Sequence, residues 1–212
     1  MADSPAPVLS DSASAAPLRD EKSRLRAAAL QSRAAMGAHA RAEASRRAAG
    51  WAVDLILAQP VRCVSLFSAI HDEIDPRPLA AALREQGVAL ALPEVVRLGQ
   101  PLLFRHWAVD DPLLPKGRYA IPTPAPDAPI VVPDVVMVPL AAYDAEGFRI
   151  GYGAGFYDRS LALLRAQGPV RAFGFAFSCQ QVARVPRETH DEAVDWMITQ
   201  DGAVPCMLSQ AI

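Results

Sequence analysis

The residues of this chain best suited to chemistry are concentrated between Asp144 and Leu161, in the stretch DAEGFRIGYGAGFYDRSL. Gly151, Gly153 and Gly155 alternate there, so no side chain stops a ligand from approaching the backbone. Backbone N–H groups in such a turn, together with the positive end of a following helix, form a cradle for phosphate oxygens. Arg149 stands just before the cradle and Arg159 just after it, and a guanidinium can grip a phosphate with two parallel hydrogen bonds. Asp158 falls in the first turn of the helix predicted to follow, where the helix dipole favours a carboxylate. The same carboxylate could hold a Mg²⁺ ion that bridges phosphates. The glycine spacing matches neither the Walker loop nor the dinucleotide-binding fingerprint. A glycine turn alone is commonly a plain chain reversal. The full pattern Asp-x-x-Gly-x-Arg-x-Gly-x-Gly-x-Gly-x-Tyr-Asp-Arg points to phosphate binding.

Those side chains need a scaffold. Asp134 to Pro139 is a continuous apolar run, the pattern of a strand covered on both faces, and it leads into the polar turn of residues 144–155. An amphipathic helix is predicted from about Phe156 to Ala166. Upstream, residues 19–36 and 38–58 lack proline and are rich in Ala, Arg and Glu, which predicts two helices parted near Gly37. Further strands are predicted over Val61–Phe67, Val88–Leu92 (stopped by Pro93), Leu102–Trp107, Arg171–Phe177 and Trp196–Thr199. Asp75-Pro76 reads as a cap opening a helix that Gly87 closes. Residues 108–133 are proline-rich and read as a long irregular passage. Strands alternating with helices imply a mostly parallel sheet covered by helices on both faces, with ligands bound beyond the carboxyl ends of the strands.

Composition narrows the function further. The 212 residues carry 21 Lys plus Arg against 23 Asp plus Glu, a net charge of −2, so nothing draws the chain as a whole to nucleic acid or to an anionic membrane. No stretch approaches the roughly 18 uninterrupted apolar residues of a spanning helix. Cys63, Cys179 and Cys206 are odd in number and far apart, which disfavours a disulfide framework or a zinc knuckle and suits a reducing cytoplasm. Residues 1–18 read as a disordered leader without the charge pattern of a targeting signal, and residues 19–212 as a single domain.

Taken together, these blocks resemble the 5-formyltetrahydrofolate cyclo-ligase family, also called methenyltetrahydrofolate synthetases. Lys22-Ser23-Arg24-Leu25-Arg26 is similar to the family's N-terminal element, Asp72-Glu73-Ile74-Asp75 to its acidic segment, and Leu114-Pro115-Lys116 with Ile121-Pro122-x-Pro124 to its proline-rich middle. Ala176 to Gln180 and His190-Asp191 match its C-terminal blocks, so the likeness runs from Lys22 to Thr199. It implies a single three-layer α/β domain with a parallel-rich central sheet flanked by helices, of the kind shared with sugar-phosphate isomerases and acyl-CoA transferases. It also implies ATP- and Mg²⁺-dependent conversion of 5-formyltetrahydrofolate to 5,10-methenyltetrahydrofolate; a cytoplasmic monomer is expected.

Roles follow from the resemblance residue by residue. Lys22, Ser23, Arg24, Leu25 and Arg26 would bind ATP, with Arg149, Ile150, Gly151, Tyr152, Gly153, Ala154, Gly155, Phe156 and Tyr157. Ser68, Glu73, Tyr119 and the segment Tyr152–Phe156 would contact the folate, Glu73 by accepting the pterin's N–H groups. Asp158 and Asp191 would hold Mg²⁺, and Arg149, Lys22 and Asp158 would act in catalysis. Lys22 and Arg26 share one helix face, which by composition alone is a solvated charged face; Arg33 continues it with no assigned role. His190 reads as a residue that positions its loop. Ala154, Phe156, Thr123 and Pro76 depart from the commonest family residues, though none removes an ATP or Mg²⁺ group. Two other readings stay open: a catalytically silent folate- or nucleotide-binding paralogue, and an isomerase or transferase relative that needs no ATP. Arg149→Ala and Asp158→Ala are expected to fold normally and lose most activity.

Overall fold

The computed structural model describes residues 12–108, 110–117 and 120–207. Two Ala-rich helices lead it, α1 (Ser12–Ala34) and α2 (Ala38–Leu57), parted at Gly37 as the composition requires. α1 begins earlier than the Arg19 start expected, so residues 12–18 are helical rather than part of a disordered leader. Pro17 lies inside the helix, where it removes the bond to the carbonyl one turn back and crowds that carbonyl. Residues 1–11 of the expected leader lie outside the described residues.

The remaining elements are β1 (Cys63–Ser65), α3 (Arg77–Glu85), β2 (Ala89–Glu94), β3 (Leu103–His106), β4 (Leu113–Lys116), β5 (Ile121–Pro124), β6 (Val135–Val138), β7 (Ala142–Tyr143), β8 (Arg149–Ile150), α4 (Phe156–Gln167), β9 (Arg171–Phe175), β10 (Trp196–Thr199) and β11 (Gly202–Pro205). Among the described residues the main sheet runs β11-β10-β9-β6-β1-β2-β3. Its interior pairs, β2–β1, β1–β6, β6–β9 and β9–β10, are parallel, while β3 and β11 close the two edges antiparallel. Every residue of β6 is buried. Val135 and Met137 join the core beneath α2 and α3, while Val136 and Val138 join the core beneath Leu161 and Leu164 of α4. Helices therefore cover both faces, and the expected three-layer α/β arrangement is present.

α2 lies close on its face because its buried stripe is small: Ala44, Ala48 and Ala52, ending in Ile56. The Asp75 carboxylate accepts the Arg77 N–H at 2.9 Å and so opens α3, and Gly87 (φ +72°) follows it. Three strand expectations need correction. β2 passes through Pro93 instead of stopping there, because its register with β1 has already ended at Ala91 and no ladder bond on that side is lost. The passage 108–133 is not irregular throughout, since β4 and β5 form a two-stranded antiparallel hairpin. β11 was not expected; its Val204 is exposed at the sheet edge, so the strand lacks a continuous apolar run. No helix among the described residues is long and apolar enough to cross a membrane.

Candidate active site

The chain leaves β6 at its carboxyl end and enters the small β7–β8 hairpin, whose turn is built by Asp144. This buried carboxylate accepts N–H groups from Glu146 and Phe148 on Oδ1 (3.0 and 3.1 Å) and from Val185 on Oδ2 (2.8 Å). Gly147 completes the turn at φ +90°, where a Cβ would stand 2.5 Å from the Val194 carbonyl oxygen. Only glycine fits there. Asp144 and Gly147 thus build the turn, and their effect is to aim Arg149 inward.

The Arg149 side chain is 5% exposed. It donates to Asp158 Oδ1 at 2.8 Å and to the Glu192 carbonyl, while the Glu192 N–H returns a bond to Asp158 Oδ1 at 3.2 Å. Burial pushes the Arg149 pKa down, and the charges of Asp158 and Asp191 oppose that shift. A guanidinium keeps its charge through such a shift. Across the site, Lys22 Nζ donates to Asp191 Oδ2 at 2.7 Å and to Glu188 Oε2 at 3.0 Å. Burial lowers the Lys22 pKa, but the hydrogen bonds and charges of Asp191 and Glu188 outweigh it and leave the net value raised. Lys22–Asp191, widely spaced in sequence, and Arg149–Asp158 therefore form two ion pairs, with Asp191 near enough to act on the charge of Arg149.

α1 reaches this network because Leu25 and Ala29 pack against Phe148 and Ile150 of the β7–β8 hairpin. The same helix face presents Arg26, whose Nε donates to the Gly151 carbonyl at 2.8 Å. Ser23 and Arg24 are exposed and make none of these bonds, and Leu25 serves packing, so that part of the expected ATP set is not brought to the site. In the glycine turn Gly153 (φ +93°) and Gly155 (φ +62°) take left-handed conformations, and Gly155 precedes α4 without any side-chain cap. The first-turn N–H groups of α4 are thus left for an anion. Arg159 folds back onto the Ala154 carbonyl, and its guanidinium lies 5.6 Å from the Phe156 ring. Burial raises the Tyr157 pKa well above the ordinary phenol value.

The carboxylates suit a hard divalent ion. Asp158 uses Oδ1, and Asp191 uses Oδ2, in the bonds described, so one oxygen of each lies outside them. Ligand atoms of Glu188, His190 and Asp191 lie within 4.8 Å of one another, an oxygen-rich set. His190 is 70% exposed and 4.0 Å from Glu188, which agrees with a loop residue rather than a buried base.

The second half of the site lies beyond β1. Ser68 Oγ donates to the Pro122 carbonyl at 2.6 Å and so ties the exit of β1 to the β4–β5 hairpin. Glu73 Oε2 accepts the Ile70 N–H at 2.9 Å, while its Oε1 is sealed from solvent without a partner. Burial raises the Glu73 pKa, against the Ile70 N–H, the Tyr152 hydroxyl and the charge of Arg33. Burial likewise pushes Tyr152 up to about 12. Tyr119 lies outside the described residues. Arg33 has no role on sequence grounds, yet it is buried and donates to the Tyr152 hydroxyl at 3.1 Å. Its one signal in the sequence is the helix face shared with Lys22 and Arg26.

Comparison with known proteins places the chain among its relatives. A model of the 5-formyltetrahydrofolate cyclo-ligase family matches residues 19–200. The chain is 30% identical over 145 residues to a 5-formyltetrahydrofolate cyclo-ligase of Haemophilus influenzae, covering 66% of this chain and 76% of that one. It is 29% identical over 185 residues to one from Mycolicibacterium smegmatis, covering 84% and 93%. Its structure resembles that of Aquifex aeolicus 5,10-methenyltetrahydrofolate synthetase, with a TM-score of 0.72 at 27% identity over 88% of this chain and 93% of the other.

Proposed function

The chain belongs to the 5-formyltetrahydrofolate cyclo-ligase family, and from that premise we propose that it converts 5-formyltetrahydrofolate to 5,10-methenyltetrahydrofolate at the expense of ATP. The observation that carries this reading is a glycine turn, held by Arg26 and followed by a helix without a side-chain cap, beside the ion pairs Lys22–Asp191 and Arg149–Asp158. On the other side of Tyr152, Glu73 offers a buried carboxylate to the N–H groups of a pterin.

An amide oxygen is a poor leaving group, and phosphorylation makes it a good one. The formyl oxygen attacks the γ-phosphorus, ADP departs, and an imidoyl phosphate forms. N10 of the folate then attacks the formyl carbon, its proton is released, phosphate leaves and the ring closes. Alignment and charge stabilisation are the protein's share of such chemistry. Lys22 and Arg26 hold the phosphates from α1, Arg149 neutralises charge from below, and the turn amides orient the terminal phosphoryl group. Asp158 and Asp191 would hold Mg²⁺, which when bound draws charge from the phosphate oxygens. The structure of the carboxylates fits that role, as each keeps an oxygen outside its hydrogen bonds to the protein. Free cysteines and the near-neutral charge support a cytoplasmic setting, in which we take the enzyme to act as a monomer.

The test is the absorbance of the methenyl product from purified protein and 5-formyltetrahydrofolate, with and without ATP and Mg²⁺. ATP-dependent product formation is expected. Product without ATP, or binding of both substrates without turnover, would overturn the reading.

A further inference from the structure

Arg33 is 3% exposed, and the network that holds ATP does not use it. Its NH2 nitrogen donates to the Tyr152 hydroxyl, while Nε and NH1 are sealed from solvent with no hydrogen-bond partner. Buried donors of a charged group are costly to leave unpaired and are found where something else completes them. Glu73 Oε1 is orphaned in the same way, and neither residue satisfies the other. Both line one narrow cleft, whose remaining wall is Phe67, Ile74, Pro139, Leu140 and Phe175 with the amide of Gln180.

That combination restricts the occupant. A phosphate or carboxylate would meet the Glu73 carboxyl, and a cation would meet the guanidinium. A flat, neutral heterocycle whose edge carries N–H donors beside a carbonyl satisfies both. The 2-amino-4-oxopyrimidine edge of a pterin has this order: amino N–H, ring N–H, carbonyl oxygen. We propose that Arg33 binds the carbonyl at position 4 while Glu73 takes the two N–H groups, so that Arg33 selects 4-oxo over 4-amino pteridines. The inference rests on the folate reading above and extends it to a residue that reading leaves without a part. A 4-amino ring turns a donor toward a donor and lacks the ring N–H, so discrimination comes from repulsion as well as from a lost bond.

Titration calorimetry tests this with 5-formyltetrahydrofolate and its analogue bearing an amine in place of the 4-oxo group. The wild type should prefer the oxo compound. In Arg33→Met, affinity for the oxo compound should fall by about 10- to 100-fold while that for the amino analogue changes by less than about threefold. Arg33→Gln, which keeps a shorter donor, should retain part of the preference, and it carries the measurement if the Met variant does not fold by circular dichroism. Equal weakening of both ligands would reduce Arg33 to a brace for Tyr152 and overturn the proposal. So would an unchanged oxo affinity, or a wild type that binds both analogues equally. Failure of the wild type to bind either compound would instead remove the folate reading itself, and this inference with it.

Discussion

Replacing Arg149 by Met keeps an unbranched apolar stem and deletes the charged guanidinium, with two separable costs. The guanidinium ties β8 to Asp158 on α4 and to the Glu192 carbonyl from a position only 5% exposed. Removing one partner of a buried pair costs about 3–5 kcal/mol, because the other charge stays behind. Asp158 is 20% exposed and keeps the Glu192 N–H, so solvent screening reduces the loss to about 2–3 kcal/mol. For a domain of this size that corresponds to a fall in Tm of about 4–12 °C. The burial of Arg149 thus revises the expectation that such variants fold as the parent does. Asp158→Asn should also destabilise, and the double variant should cost less than the sum of the two by about 1–2 kcal/mol, since it strands no charge. All three variants should lose about 100-fold or more of ATP-dependent methenyl formation, because the proposed reaction uses the same ion pair to offset charge on the phosphates. Scanning calorimetry and the absorbance assay check both costs. Strictly additive destabilisation, or an Arg149→Met protein that melts with the wild type, would refute the coupling argued from the geometry.

Glu73 has a pKa raised by burial, so folate binding that needs its ionised form should weaken as pH falls, starting above the ordinary carboxylate value of 4.5, and Glu73→Gln should flatten that limb in a Kd-against-pH series. Stability runs the other way: the native state holds this proton more tightly than the unfolded chain, so the wild type should lose Tm relative to Glu73→Gln as pH rises above 4.5. Gly147→Ala places a Cβ 2.5 Å from the Val194 oxygen at φ +90° and should cost at least about 2 kcal/mol, read as a lower urea midpoint. Among the thiols, burial holds Cys63 up at about 11 and Cys206 at about 12, while Cys179 is exposed; one thiol should react quickly with a disulfide reagent before unfolding and three after it.

Much of this architecture is written in short-range patterns. The wholly apolar run of β6 announces a strand covered on both faces, and the alanine stripe of α2 announces a helix laid close to a sheet. The β4–β5 hairpin is hidden because Pro115 and Pro122, which read as breakers, face each other across a two-stranded ribbon that needs few ladder bonds. At the site, residue type and spacing single out Arg149 and Asp158, and the family resemblance adds Lys22 and Arg26, but their partners depend on approach in space. Lys22 meets an aspartate 169 positions away, and no local pattern encodes that. Ser23 and Arg24 share a motif with Lys22 yet lie exposed, because a helix turns neighbours to different sides. Arg33 shows the converse. Its helix face was legible, but its burial depends on Tyr152 and Glu73 arriving from distant segments.

The span between Lys22 and Asp191 also orders events during synthesis. α1 emerges first and carries its cations for about 169 residues of translation before their counter-charges exist, roughly 10–30 s at ribosomal speed. A nascent chain interrupted before residue 188 holds neither carboxylate that anchors Lys22. The position of the Lys22 ammonium is therefore fixed only once the segment that carries Glu188 and Asp191 has been made.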